Sequence, residues 1–451
     1  MLVRFRVGNF LSFKDVQEFS MIKGKTKNKG ERIYSADYVK LLKFASVFGA
    51  NASGKSNLIS AIMYAQRIIL DEIPKQGKYG TFKLDSGYAE KPSYFEFEII
   101  IDGENYSYGF EIILNNHRLI SEWLIKLSPD GNEDNDVKIF ERDIEKSIFV
   151  TDINTFVSEK NQIRFKVYSE DIQKDDSLLF LREMNKREKS DIYQYEKSLQ
   201  IINKVFLWFA LNLDVNYPSR PLSDYSYFRD AGKKEEIRRV ISSLGTGITD
   251  YHERTASIEQ LKSELPTSLY EQLEKDISRL SDEKDSIALR VNGMYYLISV
   301  NSSKQIEVIT IVFNHGNSIE FNFSEESDGT QRILDLIEIL FSNGEKTYFI
   351  DEIDRSLHPC LTYRFVQEYL NHASGKPIQL IITTHESRLL DFGLLRQDEI
   401  WLANKNRNGE TGLYSLDEYN VRFDKKVDKA YLEGRYGGVP IFNTIFPVEE
   451  A

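Results

Sequence analysis

The chain opens on an alternation, Leu2-Val3-Arg4-Phe5-Arg6-Val7, in which apolar and basic positions exchange at period two. Phe10, Phe13 and Val16 extend it. That pattern predicts a half-buried opening hairpin placed beside the next strand. The next strand is the short apolar run Phe44-Ala45-Ser46-Val47-Phe48, after a polar, Lys-rich stretch at 17–40 with little periodicity. Leu58–Ala65 then reads as a helix, which must stop by Asp71-Glu72-Ile73-Pro74. From about 81 to 150 the pattern is one of strands. Tyr94–Ile101 and Tyr106–Ile113 flank Asp102-Gly103, a hairpin signal.

Between about 170 and 290 apolar positions recur at steps of three and four. Ile192, Tyr195, Leu199, Ile202, Phe206 and Phe209 form one series, and Leu269, Leu273, Ile277 and Leu280 another after Pro266. Strands return at Tyr295–Val300, Ile306–Phe313 and Ile319–Phe323, then at Tyr348–Ile350 and Ile378–Ile382. The expectation is an α/β protein whose main lobe is built from 1–165 and 290–451. A helical insertion at 166–289 forms a short arm or bundle. One helix of about 25 residues spans roughly 40 Å, so a long coiled-coil rod is excluded.

Strand, turn and helix around position 50 enclose Gly49-Ala50-Asn51-Ala52-Ser53-Gly54-Lys55-Ser56-Asn57, a GxxxxGK[ST] sequence. Glycines let the backbone wrap closely, so successive N–H groups face a polyphosphate at a helix N-terminus. Lys55 would reach the β- and γ-phosphates, and the Ser56 hydroxyl would ligate Mg²⁺.

A second half of such a site follows. Tyr348-Phe349-Ile350 delivers Asp351 and Glu352 to a strand end, where Asp351 can hold Mg²⁺ and Glu352 can polarise a water. An acidic pair at a strand end is also what an ordinary loop looks like. The later strand ends in Thr383-Thr384-His385, and its order in this series favours His385 as a γ-phosphate sensor over a structural histidine. Ser327, Gly329 and Thr330, before the apolar helix from Ile333, offer a hydroxyl, a bare backbone and a second hydroxyl at a helix start. Taken alone, they would be a plain N-cap.

Composition narrows the classes. At 451 residues with 41% hydrophobic and 12% aromatic content, the chain has enough for two or three packed lobes. A net charge of −12 argues against a surface that binds nucleic acid throughout. One cysteine, Cys360, excludes internal disulfides and thiolate zinc clusters, and the six histidines lack metal-ligand spacing. Lys233, Lys234, Arg238 and Arg239 read as a solvated helix face partnered by Glu235 and Glu236 rather than a phosphate-backbone contact. With no apolar run of membrane length and no signal-peptide pattern at Met1–Phe5, a cytoplasmic protein is expected.

GANASGKSN at 49–57, SDGTQ at 327–331, Asp351-Glu352 with Asp354, and Thr384-His385 resemble the Walker A, signature, Walker B, D-loop and switch-histidine motifs of ABC/SMC-type ATPases. The closer likeness is to ATPases of prokaryotic antiphage and abortive-infection systems. Asn9–Lys14, ESDGT at 326–330, DEIDRSLHP at 351–359 and GRYGGVP at 434–440 resemble the RloA/AbiLi group and, more distantly, the ATPase subunits of PARIS and Septu. The resemblance covers roughly 1–160 and 290–451. It departs from transporter ATPases in the signature, SDGTQ against SGGQ. No Q-loop glutamine is assigned, since neither Gln66 nor Gln76 follows a strand, and no adenine-stacking aromatic is identified.

The resemblance implies a P-loop NTPase of ABC-ATPase head type with an antiparallel β-lobe, using ATP and Mg²⁺. Its nucleotide contacts would be Gly49, Asn51, Ser53, Gly54, Lys55, Ser56, Asn57, Ser327, Gly329, Thr330 and Asp354, its metal ligands Ser56 and Asp351, and its catalytic residues Glu352 and His385. It also implies a homodimer, or a higher oligomer built from dimers, that closes head-to-tail over ATP. Too little chain follows His385 for a nuclease, so a separate effector of Toprim, RloB-like or other nuclease type is expected. The rival reading is a RecF/SMC-like DNA-repair ATPase that clamps DNA, against which the charge and short insertion weigh. A transporter ATPase is disfavoured by the β-lobe and insertion.

Overall fold

In the computed structural model Leu2–Gly8 is a strand with Phe5 and Val7 buried, and Arg4 and Arg6 on the other face. The structure describes residues 1–451 apart from 37, 72, 75–78, 187–188, 190–191, 217–225, 230–231, 266, 279, 281–285, 292–293, 302–304, 343, 420–426 and 440–451. Leu2–Gly8 pairs antiparallel with Gln17–Ser20 on one side and Ser93–Ile101 on the other. The opening hairpin therefore forms, but not beside Phe44–Phe48. The alternating aromatics decide this: Phe5 lies opposite Phe97, with ring centroids 4.6 Å apart. This seven-stranded antiparallel sheet runs in the order 148–150, 137–143, 118–126, 104–113, 93–101, 2–8, 17–20. Asp102 (φ 53°) and Gly103 (φ 82°) make the expected tight turn, left-handed at both positions.

The second sheet has six strands in the order 213–216, 346–350, 378–383, 44–48, 400–405, 411–415. The first five are parallel, and only 411–415 runs antiparallel. Phe44–Phe48 and Ile378–Thr383 are buried from end to end and Lys346–Ile350 beyond its first residue, as continuous apolar runs in a parallel sheet should be. Buried Gln379 stitches the two sheets together. Its Oε1 accepts from Leu2 N (2.7 Å) and Thr347 Oγ1 (3.1 Å), and its Nε2 donates to Leu2 O (2.9 Å) and Leu42 O (3.1 Å). All four hydrogen-bonding positions of that amide are used.

Helix Lys55–Leu70 shares one core with both sheets through Leu58, Ile62, Ala65 and Ile69. Gln66 on this helix donates to Phe209 O and Leu213 O, both at 2.8 Å, holding the π-helical turn Trp208–Asn212 that leads into strand Leu213–Asn216. Gln66 is thus committed to structure, and Gln76 lies outside the described residues. Deeper in the β-lobe, fully buried Glu122 and Arg142 pair at 2.9 Å. Glu122 also accepts from Phe180 N (2.7 Å), Leu181 N (3.0 Å) and Tyr108 OH (3.1 Å). Arg142 donates to Ile172 O (2.9 Å), Asp175 O (3.0 Å) and Leu178 O.

Contacts divide the chain into two units. The first comprises Met1–Tyr217, Gly344–Ile353 and Ala373–Ala451, and the second Pro218–Asn343 and Asp354–His372. The stretch read as a helical insertion is split by this division. Its helices Gln200–Leu207 and Thr267–Ile277 are joined by strands Asp250–Ala256 and Ser286–Val291. Asp250–Ala256 carries little apolar signal and owes its extended form to pairing with Ile306–Asn314. The second unit sets this antiparallel sheet with helices Asp328–Phe341 and Pro359–His372. On its helix Lys234–Ser243, Arg238 pairs with Glu235 at 2.7 Å, both well exposed, as a solvated face would have it. Among the described residues no helix is long and apolar enough to cross a membrane.

Candidate nucleotide site

Phe44–Phe48 ends where the chain must turn back into helix Lys55–Leu70. The turn has two left-handed residues, Ala52 (φ 63°) and Gly54 (φ 109°). Gly54 admits no side chain: a Cβ there would fall 2.4 Å from Thr411 Oγ1. Thr411 Oγ1 in turn donates to Ser53 O (2.8 Å) and lies 2.7 Å from Ser12 Oγ, which accepts from Asn57 Nδ2 at 2.6 Å. The loop is therefore braced from both ends of the chain before any ligand arrives.

Lys55 is 5% exposed and curls back over the loop, its Nζ donating to Gly49 O (2.8 Å) and Ala50 O (3.1 Å). Asn51 is exposed, whereas Ser53 is buried and its Oγ has no hydrogen-bond partner among the described residues. Ser56 Oγ donates to Asp351 Oδ1 at 3.2 Å. Asp351 stands at the end of Lys346–Ile350, one strand removed from Phe44–Phe48 in the sheet. The strand between them, Ile378–Thr383, supplies Thr383, whose Oγ1 donates to Asp351 Oδ1 at 2.5 Å and accepts from Glu352 N at 2.8 Å. Ile353 N adds a bond to Thr383 O (3.1 Å), and Asp351 N one to Asn216 O (2.9 Å). Glu352 is held at φ 48°, a left-handed position that favours glycine, which marks a turn fixed by its neighbours. His385 is exposed just beyond the same strand, and Glu386 N caps onto Thr384 Oγ1 at 2.9 Å.

These residues fit a nucleotide with a divalent ion. A cationic lysine in a glycine-bearing loop at a helix N-terminus, with an orphaned buried hydroxyl, suits a polyphosphate. A serine hydroxyl and a carboxylate on one spot suit Mg²⁺, which is usually held by few protein ligands plus phosphate and water. Among the described residues no group of three or more His, Cys, Asp or Glu could hold a metal ion, so those outside ligands would be needed.

Ser327, Gly329, Thr330 and Asp354 belong to the second unit. Ser327 caps helix Asp328–Phe341, its Oγ accepting from Thr330 N (3.2 Å) and lying 2.9 Å from Thr330 Oγ1. Gly329 is pressed against the turn after Asp354, since a Cβ there would fall 2.9 Å from Ser356 O. Ser356 is itself left-handed at φ 61°. The helix start and the Asp354–Ser356 turn thus form one constellation. Sequence reasoning missed Thr383, Ser12 and Thr411. Only Thr383 carried a signal, a polar residue closing a buried apolar strand.

A family model described as "AAA domain, putative AbiEii toxin, Type IV TA system" matches residues 44–391. The chain belongs to this AAA-domain family. The match begins at the phosphate-loop strand and ends beyond His385, so it takes in both halves of the AAA-domain site. With five parallel strands, four of them inside the match, and a strand–loop–helix turn from Phe44 to Leu70, the chain has the P-loop NTPase fold and is of ATPase type. Comparison with curated proteins gives no match.

Among solved structures, the chain is similar to an SMC head bound to the C-winged helix domain of ScpA, at 14% identity over 92% of this chain and 97% of that one, TM-score 0.42. It is similar to an SMC head domain from Thermotoga maritima, at 12% identity over 92% and 98%, TM-score 0.34. A third is an Smc head domain with an extended coiled coil, bound to the C-terminal domain of ScpA derived from Pyrococcus furiosus, at 14% identity over 96% and 99%, TM-score 0.37. At these scores the likenesses carry no weight. The assignment rests on the family match and the AAA-domain site itself.

Proposed function

We propose that this chain binds Mg-ATP in the Gly49–Asn57 loop and hydrolyses it as a regulatory switch. The observation that carries the reading is the convergence of Ser56 and Thr383 on one oxygen of Asp351, at the mouth of the phosphate loop. When bound, Mg²⁺ would screen charge on the phosphates. Gly54, Lys55 and the loop amides would position them, with Ser56 and Asp351 on the metal. Glu352, turned out by its left-handed backbone, would orient the attacking water, and His385 would sense the γ-phosphate.

Two copies would close head-to-tail, so that Ser327, Gly329 and Thr330 of one meet the phosphates held by the other, with Asp354 at the seam. This gives one chain a reason to carry two separate anion-binding helix starts. In a prokaryotic antiphage system of the abortive-infection kind, such a switch would govern a separate effector nuclease. Light scattering of wild type and Glu352→Gln, with and without Mg-ATP and DNA, tests the reading. An ATP-dependent dimer trapped in Glu352→Gln and indifferent to DNA is expected. Monomers under every condition would sink the sandwich, and full turnover in Glu352→Gln would sink the role of Glu352.

A further inference from the structure

The GRYGG segment near the C-terminus has no part in the chemistry above, yet it is built onto the phosphate loop. Gly434, Gly437 and Gly438 are all left-handed, at φ 78°, 72° and 70°. Gly437 has no room for a side chain, since a Cβ would fall 2.6 Å from Tyr414 OH, and that hydroxyl donates to Tyr436 O at 2.6 Å. A Cβ on Gly438 would lie 3.6 Å from Gly49 Cα and 3.6 Å from Ala403 O. Gly49 in turn has Ala403 O only 2.5 Å from where its own Cβ would be. Three backbones, Gly49, Ala403 and Gly438, therefore meet at the first glycine of the loop, with the Ser53 hydroxyl and the Tyr431 ring packed beside them. Buried Tyr431 closes the turn, donating its hydroxyl to Gly438 O at 2.9 Å, and its ring meets Phe48, the last residue of the loop strand, at 6.1 Å between centroids.

We propose that the Tyr431–Gly438 turn is a positioning element of the nucleotide site, backing Gly49 so that docking of the turn and binding of a nucleoside triphosphate are linked. The proposal rests on the ATP-binding reading of the loop. Linkage is reciprocal: whatever loosens the turn weakens the nucleotide, and nucleotide tightens the turn by the same factor. A purely structural turn would change stability without changing affinity.

The test uses the full chain. Mg-ATP affinity is measured by calorimetry for wild type, Gly437→Ala and Tyr414→Phe, with hydrogen exchange at 431–438 read with and without Mg-ATP. Gly437→Ala should weaken binding about tenfold, within the usual range of couplings between sites. Tyr414→Phe, which leaves every glycine in place, should weaken it in the same direction and decides the matter if Gly437→Ala does not fold. Mg-ATP should slow exchange across the turn in wild type. Unchanged affinity in the folded variants together with unchanged exchange would overturn the proposal. A wild-type chain that binds no ATP would instead overturn the reading of the loop.

Discussion

Thr383 holds Asp351 from the neighbouring strand: its hydroxyl donates to Asp351 Oδ1 at 2.5 Å and accepts the Glu352 amide at 2.8 Å. One side chain thus sets both the carboxylate that faces Ser56 and the backbone that aims Glu352. Thr383→Val keeps the shape and removes the hydroxyl. A hydrogen bond to a charged group contributes about 1.5–3 kcal/mol, so ATP turnover should fall roughly 10- to 100-fold. Thr383→Ser should recover most of it. Steady-state ATPase rates beside ATP affinities provide the check, with kcat falling far more than binding.

Gly54 is irreplaceable for two separable reasons, its φ of 109° and the Thr411 hydroxyl 2.4 Å from any Cβ. Gly54→Ala should weaken Mg-ATP binding by roughly 5- to 150-fold, since strained backbone of this kind costs about 1–3 kcal/mol. Adding Thr411→Ala removes the two nearest clashing atoms but leaves the strain, a Cβ at 3.0 Å and a loop without its bond to Ser53 O, so the double variant should recover binding only in part. Titration calorimetry on the three proteins would show it. Full recovery would mean that the backbone angle contributes nothing.

The Glu122–Arg142 pair is wholly buried, and between them these two groups serve three further donors and three carbonyls. Removing one partner strands a charge. Glu122→Ala should therefore cost about 3–5 kcal/mol of stability, and replacing both residues with leucine should not restore it, because three donors and three carbonyls then lose their partners. Urea denaturation gives both values. A double variant as stable as wild type would contradict this account.

Glu399 is fully buried, and its carboxyl is pushed up to about 7, first by burial and then by the Asp398 charge, against the Arg396 amide and the Arg32 and Arg396 cations. The folded state then holds a proton the unfolded state has released. Its contribution to stability is complete below the ordinary glutamate range and is lost as pH rises towards about 7. Wild type should lose up to about 3 kcal/mol across that window relative to Glu399→Gln. Unfolding free energies at pH 5 and 7.5 for the two proteins test the sign. A wild type that gains stability over Glu399→Gln as pH rises would refute it.

The candidate residues legible in the sequence are those that belong to runs of consecutive residues. The turn from Gly49 to Lys55, the acids closing Lys346–Ile350 and the Ser327 cap each fold from their own neighbours, so spacing alone locates them. Thr383, Ser12 and Thr411 reach the loop only through strand order and tertiary packing, which no local pattern encodes. The same limit misplaced the first hairpin. Its alternation set the face of each side chain, but which sheet it joins is settled by distant cross-strand contacts such as Phe5–Phe97 and Arg6–Glu96.

Gln379 bonds a strand at the very start of the chain across a separation of 377 positions. The phosphate-loop strand likewise has both its neighbours, Ile378–Thr383 and Ile400–Lys405, in the last part of the sequence. A nascent chain therefore carries its nucleotide loop on a strand with two open edges until Ile378–Thr383 and Ile400–Lys405 have been made, tens of seconds after the loop at about 5–20 residues per second. Nucleotide competence arrives late and all at once, so a chain stalled before Ile378 would contain the entire GKS sequence and yet have no sheet to hold it.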